Sequence, residues 1–290
     1  VPFIPSSSAT LDAARFLPAL PAFAAGAGLV LWLLHRFWFS RLSPKPAPLA
    51  ASPLRKLLVA ALAALGLLAF CLLLPAAAGS FRASAPGWAP FTYPPGETAA
   101  ARLVADILVQ SLSEELLFRG LVMGGLGSLF LLLASWITVH PLPGEPSDSP
   151  RLAAARRRTW LLAGLAANVL QAAVFTAVHQ ANPGVTPLAL ANIGLAGFLL
   201  GWLYWSQGSL WGAWAWHFLW NFGLASAGLP VSGVVVSSPL LPFGISGACG
   251  DTLSGGTFGP EGSLVCTAGL LATLAVLLAA FRRHRTEERR

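Results

Sequence analysis

Charge is what this chain has least of. Only 10% of its 290 residues are Asp, Glu, Lys or Arg, against a hydrophobic share of 56%, where an ordinary globular domain carries about 25% charged residues. That shortage, with a mean hydropathy of +0.69, excludes a soluble fold and leaves no stretch for a separate soluble domain. Cysteine is nearly absent, with three residues. Cys71 falls inside an apolar run and reads as a small buried side chain. Cys249 and Cys266 either form a disulfide on an oxidising face or remain two free thiols. No HExxH helix is present, so a zincin-like centre is unsupported. No repeat recurs at a fixed period. The first apolar run lacks the basic flank of a cleaved signal peptide, so it is expected to stay in the mature protein.

What the chain does have is a series of apolar runs of about 20 residues, the length that crosses a bilayer core as a helix. They cover about 17–38, 56–77, 100–139, 159–180, 186–205, 209–228 and 263–281. Residues 100–139 are long enough for one long helix or two shorter ones. The expected fold is therefore all-α, a polytopic transmembrane bundle of about 7–8 helices forming one integral membrane domain over residues 1–290. Proline-rich segments at 39–54 and 141–150 separate helices rather than domains. The apolar, Gly- and Ser-rich stretch 228–263 reads either as an ordered loop lying over the bundle or as a variable loop without a role.

A net charge of +7 does not point to nucleic acid, because the basic residues cluster at the ends of the apolar runs. The clusters are Arg36, Arg41, Lys45, Arg55 and Lys56, then Arg151 and Arg156 to Arg158, then Arg282, Arg283, Arg285, Arg289 and Arg290. Placed on the cytoplasmic side by the positive-inside rule, they give an outer N-terminus and a cytoplasmic C-terminus. This closes only if residues 100–139 make one net crossing. The expected location is the cytoplasmic membrane of a prokaryote, with the lipid bilayer as the surrounding partner.

Polar residues inside these runs demand a reason, since a charge in hydrocarbon costs at least a few kcal/mol. Residues 100–139 hold Arg102, Asp106, Glu114, Glu115 and Arg119. Arg102 and Asp106, four apart near the start, read as an interfacial pair. Glu115 and Arg119 are also an i, i+4 pair, while Glu114 is turned about 100° away on the helix. The expectation is that Glu115 holds Arg119 and Glu114 is left for other work. The competing reading is a buried ion pair that keeps helices in register. Later runs add Phe175 and His179, then His217 and Asn221 one turn apart. Together these residues suit peptide hydrolysis. A desolvated carboxylate beside a histidine can activate water, and a histidine and an amide can donate to an oxyanion. The same Glu114, His179 and His217 could alternatively hold zinc, although nothing in their spacing demands it.

The three segments, Glu114-Glu115-x-x-x-Arg119, Phe175-x-x-x-His179 and His217-x-x-x-Asn221, resemble the EExxxR, FxxxH and HxxxN motifs of the CPBP family of intramembrane proteases, also called the Abi family. The matched core runs over about residues 100–225. The resemblance implies a helical bundle around a polar intramembrane cavity and endoproteolysis of a membrane protein or lipidated peptide. It implies Glu114 and His179 on the water, His217 and Asn221 at the oxyanion, and Glu115, Arg119 and Phe175 in support. It implies either a metal-free glutamate mechanism, which the spacing favours, or a metalloprotease. Two other classes remain open from the residues alone: a non-catalytic scaffold or bacteriocin self-immunity protein locked by the same cluster, and a small transporter. One expectation is geometrically awkward. His179 falls at the outer end of its helix, whereas His217 is about nine residues, about 13 Å, from an inner end, so the two converge only if helices tilt or start deeper than the runs suggest.

Overall fold

A computed structural model describes residues 52–83, 97–138, 142–147, 149–235, 243–245 and 252–287. The expected first span at 17–38 lies outside them. Among the described residues the chain forms seven α-helices: α1 (Pro53–Ala77), α2 (Glu97–Glu115), α3 (Gly124–Thr138), α4 (Pro150–Val178), α5 (Pro187–Gln207), α6 (Leu210–Ser226) and α7 (Leu264–Glu287). A π-helical segment, Leu116–Met123, joins α2 to α3 without a break. Residues 100–138 are thus part of one continuous helix, which is what a single net crossing requires.

Local chemistry sets the helix starts. Ser52, Ser149 and Thr186 each precede a proline, and each side-chain oxygen accepts a backbone N–H of the first turn, from Arg55, Leu152 and Ala189 respectively. The cap satisfies an orphan donor, and proline at the first helical position loses no hydrogen bond there. Gly208, at φ 60°, ends α5 in the left-handed region.

Five helical stretches are long and apolar enough to cross a membrane: Pro53–Ala77, Leu103–Ala134, Pro150–Ala181, Pro187–Gln207 and Leu264–Phe281. These five are counted among the described residues, which do not include the run at 17–38. The remaining apolar run, α6, has 17 residues and spans about 26 Å, at the lower end of the range that crosses a bilayer core. The chain is an integral membrane protein, and its surface follows that solvent: Leu58, Leu62, Leu73, Leu162, Val169 and Val174 are exposed, while Asn168, Gln171, Asn192 and Glu115 are buried.

Helix α4 packs along α5 and α3, α1 against α6 and α7, and α5 against α6 and α7. The α4–α5 seam is close because of two glycines. A β-carbon on Gly164 would lie 2.1 Å from the Trp205 indole nitrogen, and one on Gly201 would lie 1.9 Å from Asn168 Oδ1. Small residues here let polar side chains of one helix reach the backbone of the next. The all-α expectation needs one addition, a short antiparallel ladder of β1 (Phe81–Ala83) with β2 (Phe243–Ile245), Phe81 opposite Ile245. Cys249 lies outside the described residues, and Cys266 is a free thiol buried in the same core cluster as Cys71.

The Arg-rich start of α4 overhangs its neighbours. Lys56 Nζ donates to the Gln207 carbonyl at 2.8 Å, so the start of α1 and the end of α5 share a level. Trp160 pairs with Trp205 there, ring centroids 5.2 Å apart. The about ten residues of α4 before Trp160, with Arg151 and Arg156 to Arg158, therefore project about 15 Å beyond that level. The segment before them is more than a spacer. Glu145 accepts from the Leu142 N–H at 3.0 Å, the Ser149 hydroxyl at 2.5 Å and Arg151 Nε at 2.9 Å.

Arg151 first, then the Leu142 N–H and the Ser149 hydroxyl, lower the Glu145 carboxyl from 4.5 to about 2. A depressed carboxyl adds stability that is complete above its unfolded value and lost as pH falls through the folded one. The connection between α3 and α4 is therefore expected to loosen as pH falls from 4.5 toward 2, read as rising pepsin cleavage near Leu142. Glu145→Gln should be cleaved readily across the whole range, and equal cleavage of wild type and variant would contradict the account.

Candidate active site

Glu114 and Glu115 are the last two residues of α2, and the π-helical turn begins immediately after them. A π-helix bonds i to i+5 and often marks a functional position; here Gly124 N–H reaches back to the Arg119 carbonyl. Glu115 and Arg119 are both fully buried, with Arg119 Nη1 donating to Glu115 Oε1 at 2.8 Å. The Glu114 side chain remains 24% exposed. The division between a pairing glutamate and a free one is therefore present.

Glu115 does more than hold Arg119. The same Oε1 accepts from His217 Nδ1 at 2.8 Å. A carboxylate only accepts, so Nδ1 carries the proton, and the other ring nitrogen, Nε2, faces Glu114 Oε2 at 3.9 Å. That gap is too long for a direct hydrogen bond, yet it lets one water lie within bonding reach of both atoms. Gln110 Nε2 donates to the other Glu114 oxygen at 3.2 Å and fixes the carboxylate's rotation.

Phe175 is the hub on the α4 side. Its ring lies 4.5 Å below the Arg119 guanidinium carbon, a cation–π distance. It meets Phe118 edge-on at 4.9 Å, the His179 ring at 4.5 Å and the His217 ring at 6.4 Å. The structure thus gathers Glu114, Glu115, Arg119, Phe175 and His217. His179 joins through the Phe175 ring, about one turn farther out. Despite the expected offset, the two histidine rings approach the same Phe175 ring. His179 Nδ1 bonds to the Phe175 carbonyl at 2.7 Å. A carbonyl only accepts, so the Nδ1 proton is fixed and Nε2 of the neutral ring is left as an acceptor. Asn221, one turn beyond His217, is buried and makes no side-chain hydrogen bond among the described residues.

Three residues missed at the sequence level complete the surroundings. Gln171 Nε2 and Arg119 Nη2 both donate to the Gly197 carbonyl, at 2.7 and 3.3 Å. Gln171 also donates to Asn168 Oδ1 at 2.9 Å, and Asn168 Nδ2 to the Phe198 carbonyl at 2.9 Å. Their signal was available: an amide pair three apart on one face of an apolar helix, as unusual there as the charges were. Gln110, four before Glu114, followed the same rule. Among the described residues, no three His, Cys, Asp or Glu side chains group closely enough to hold a metal ion. Glu114, His179 and His217 therefore do not fit a three-ligand zinc site.

Residues 96–223 match the family described as type II CAAX prenyl endopeptidase, Rce1-like. Over this segment the chain is similar to the CPBP/CAAX intramembrane proteases. The matched segment contains every residue gathered above, from Gln110 to Asn221, and ends before the loop that precedes α7. No curated protein and no solved structure was found to match the chain.

Removing one partner of a buried ion pair strands the other, a cost of about 3–5 kcal/mol. Arg119→Met and Glu115→Gln should each destabilise the detergent-solubilised protein by about that amount in chemical denaturation. A loss under about 1 kcal/mol for both would show that the network is not the internal support described here.

Proposed function

We propose that this chain is a membrane-embedded endopeptidase that hydrolyses a peptide bond of a membrane-associated or lipidated substrate without a metal ion. The observation that carries the reading is the pairing of Glu114 Oε2 with His217 Nε2 at 3.9 Å while Glu115 occupies His217 Nδ1. It leaves one oxygen of Glu114, Oε2, facing an oriented imidazole while Gln110 holds the other.

In this mechanism Glu114 takes a proton from water as the water oxygen attacks the scissile carbonyl carbon. His179, an acceptor at Nε2, orients that water from the far side of Phe175. The C=O bond becomes an oxyanion, and His217, protonated at both nitrogens between the two glutamates, donates to it from Nε2 together with the Asn221 amide. Collapse of the intermediate breaks the C–N bond, and the proton held by Glu114 passes to the leaving amine. Donors of this kind contribute about 2.7–4 kcal/mol each, and the proton transfer about 10²–10⁴ in rate. The buried side chains that orient His217 are ordered before substrate arrives, so the oxyanion meets little reorganisation cost.

The orientation proposed keeps the Arg-bearing overhang of α4 and the C-terminus on the cytoplasmic side of a prokaryotic membrane. The activity in the matched family's description, prenyl endopeptidase, makes a lipid-modified C-terminal peptide the first substrate class to test.

With a membrane-anchored reporter peptide, Glu114→Gln should lower kcat by about 10²–10⁴ and Asn221→Ala by about 10²–10³, each with thermal stability in detergent unchanged. Cleavage persisting in Glu114→Gln would overturn the reading. Loss of stability with no cleavage by the wild type would favour the scaffold or immunity reading instead. Dialysis against a strong zinc chelator should leave activity intact; stoichiometric zinc lost together with activity would replace the metal-free mechanism.

A further inference from the structure

The described parts of the loop between α6 and α7 form a folded cap over the outer ends of α4, α5 and α6. Leu229, Val231 and Phe258 are buried, and Phe258 packs in one cluster with Phe118, Phe175, Ala189 and Ile193. Ser232, at φ 49°, and Gly233 make a tight turn, whose Gly233 N–H donates to the Phe258 carbonyl at 2.9 Å. Asn182, just past His179, donates from Nδ2 to the Ser232 carbonyl at 2.9 Å. A β-carbon on Gly259 would lie 2.5 Å from the Pro230 carbonyl oxygen, so the two halves of the cap close on each other without room for a side chain.

One carboxylate joins this cap to the site. Glu261 is 7% exposed and sits in a single helical turn, Pro260–Gly262. Its Oε1 accepts from Trp220 Nε1 at 2.9 Å, and its Oε2 accepts the Ser232 N–H. Its backbone is tied separately: Asn192 Nδ2 of α5 donates to the Glu261 and Ser263 carbonyls at 2.8 Å each, and Thr267 Oγ1 donates to Asn192 Oδ1 at 2.7 Å. Two independent ties therefore run through Glu261. Asn192 fastens its backbone to α5. The Glu261 carboxylate fastens Trp220, which is adjacent to Asn221, three residues after His217 and stacked on Trp216 with ring centroids 5.8 Å apart. A buried carboxylate is a costly way to glue a loop, and the Asn192 tie already does so.

We infer that Glu261, outside the family segment, is a positioning residue that acts through Trp220 to fix the rotation and height of α6, and hence the oxyanion donors His217 and Asn221. The inference rests on the peptidase reading of that site. Trp220 lies one residue from Asn221 and one turn from His217 on α6, so its hydrogen bond to Glu261 bears directly on where those side chains point. Displacing a donor by about 1 Å can cost about 10²-fold in rate.

The test uses the full chain in detergent or nanodiscs. Trp220→Phe deletes the N–H and keeps the ring on Trp216; Glu261→Ala deletes both acceptors. Both should lower kcat by about 10- to 100-fold with KM within about twofold, and both should speed amide hydrogen exchange in the outer half of α6. Asn192→Ala, which cuts the other tie, should lower thermal stability while kcat stays within about twofold. Equal kcat losses in all three variants, tracking thermal stability, would reduce Glu261 to cap glue and overturn the inference, as would unchanged kcat and unchanged α6 exchange in Trp220→Phe. Glu114→Gln run in parallel separates the two claims. If that variant still cleaves, the peptidase reading fails, while the exchange measurement still decides whether Glu261 controls α6.

Discussion

The centre of this protein depends on one oxygen atom. Glu115 Oε1 accepts both from Arg119 and from His217, and so ties the helix that carries the diglutamate to the helix that carries the histidine. A lone carboxylate would be expensive at this depth, and a lone guanidinium equally so. Each makes the other tolerable, and the imidazole takes its orientation from the result. Arg119 passes the constraint on: one nitrogen reaches the Gly197 carbonyl and its face rests on Phe175, which brings α4 and α5 into the same arrangement. The glycines of α5 belong to this too. Gly197 exposes its carbonyl to two donors, and Gly201 leaves room for the amide that orients one of them. Four helices are thereby registered by polar contacts that lipid cannot replace.

Much of this was legible in the sequence, for reasons of spacing. An i, i+4 Glu–Arg pair in a helix has little choice but to meet, and Glu114, one residue earlier, must point elsewhere. Phe175 and His179 are likewise i, i+4, so their contact follows from the helix alone. The start of the three Pro-led helices was readable in Ser-Pro and Thr-Pro pairs. What was not legible required knowledge of neighbours. The π-helical turn after Glu115 has no breaker in "LLFRG" to announce it. That His217 binds Glu115, rather than standing with Asn221 alone, depends on α6 packing against α2, a contact between residues 102 positions apart.

Hydropathy measures how apolar a run is and not how it packs: α6 is apolar throughout, with only 17 residues. It is buried by α1, α2 and α5 on its sides and by the cap at its end. Helix ends were a poor ruler for the offset between His179 and His217, because both rings approach Phe175, at 4.5 and 6.4 Å. The motifs named residues that the fold largely gathers around Phe175, while their mutual distances were set by packing that no motif encodes.

Phe175 has a consequence beyond packing. Its ring separates two imidazoles, and a benzene face neither donates nor accepts a proton. The histidines on either side each have their Nδ1 proton pinned by a different acceptor, a carbonyl for His179 and a carboxylate for His217. With that face between them, neither imidazole can pass a proton directly to the other. Each histidine therefore exchanges protons only through its own partners, and the ring works as a partition between two separate hydrogen-bond circuits.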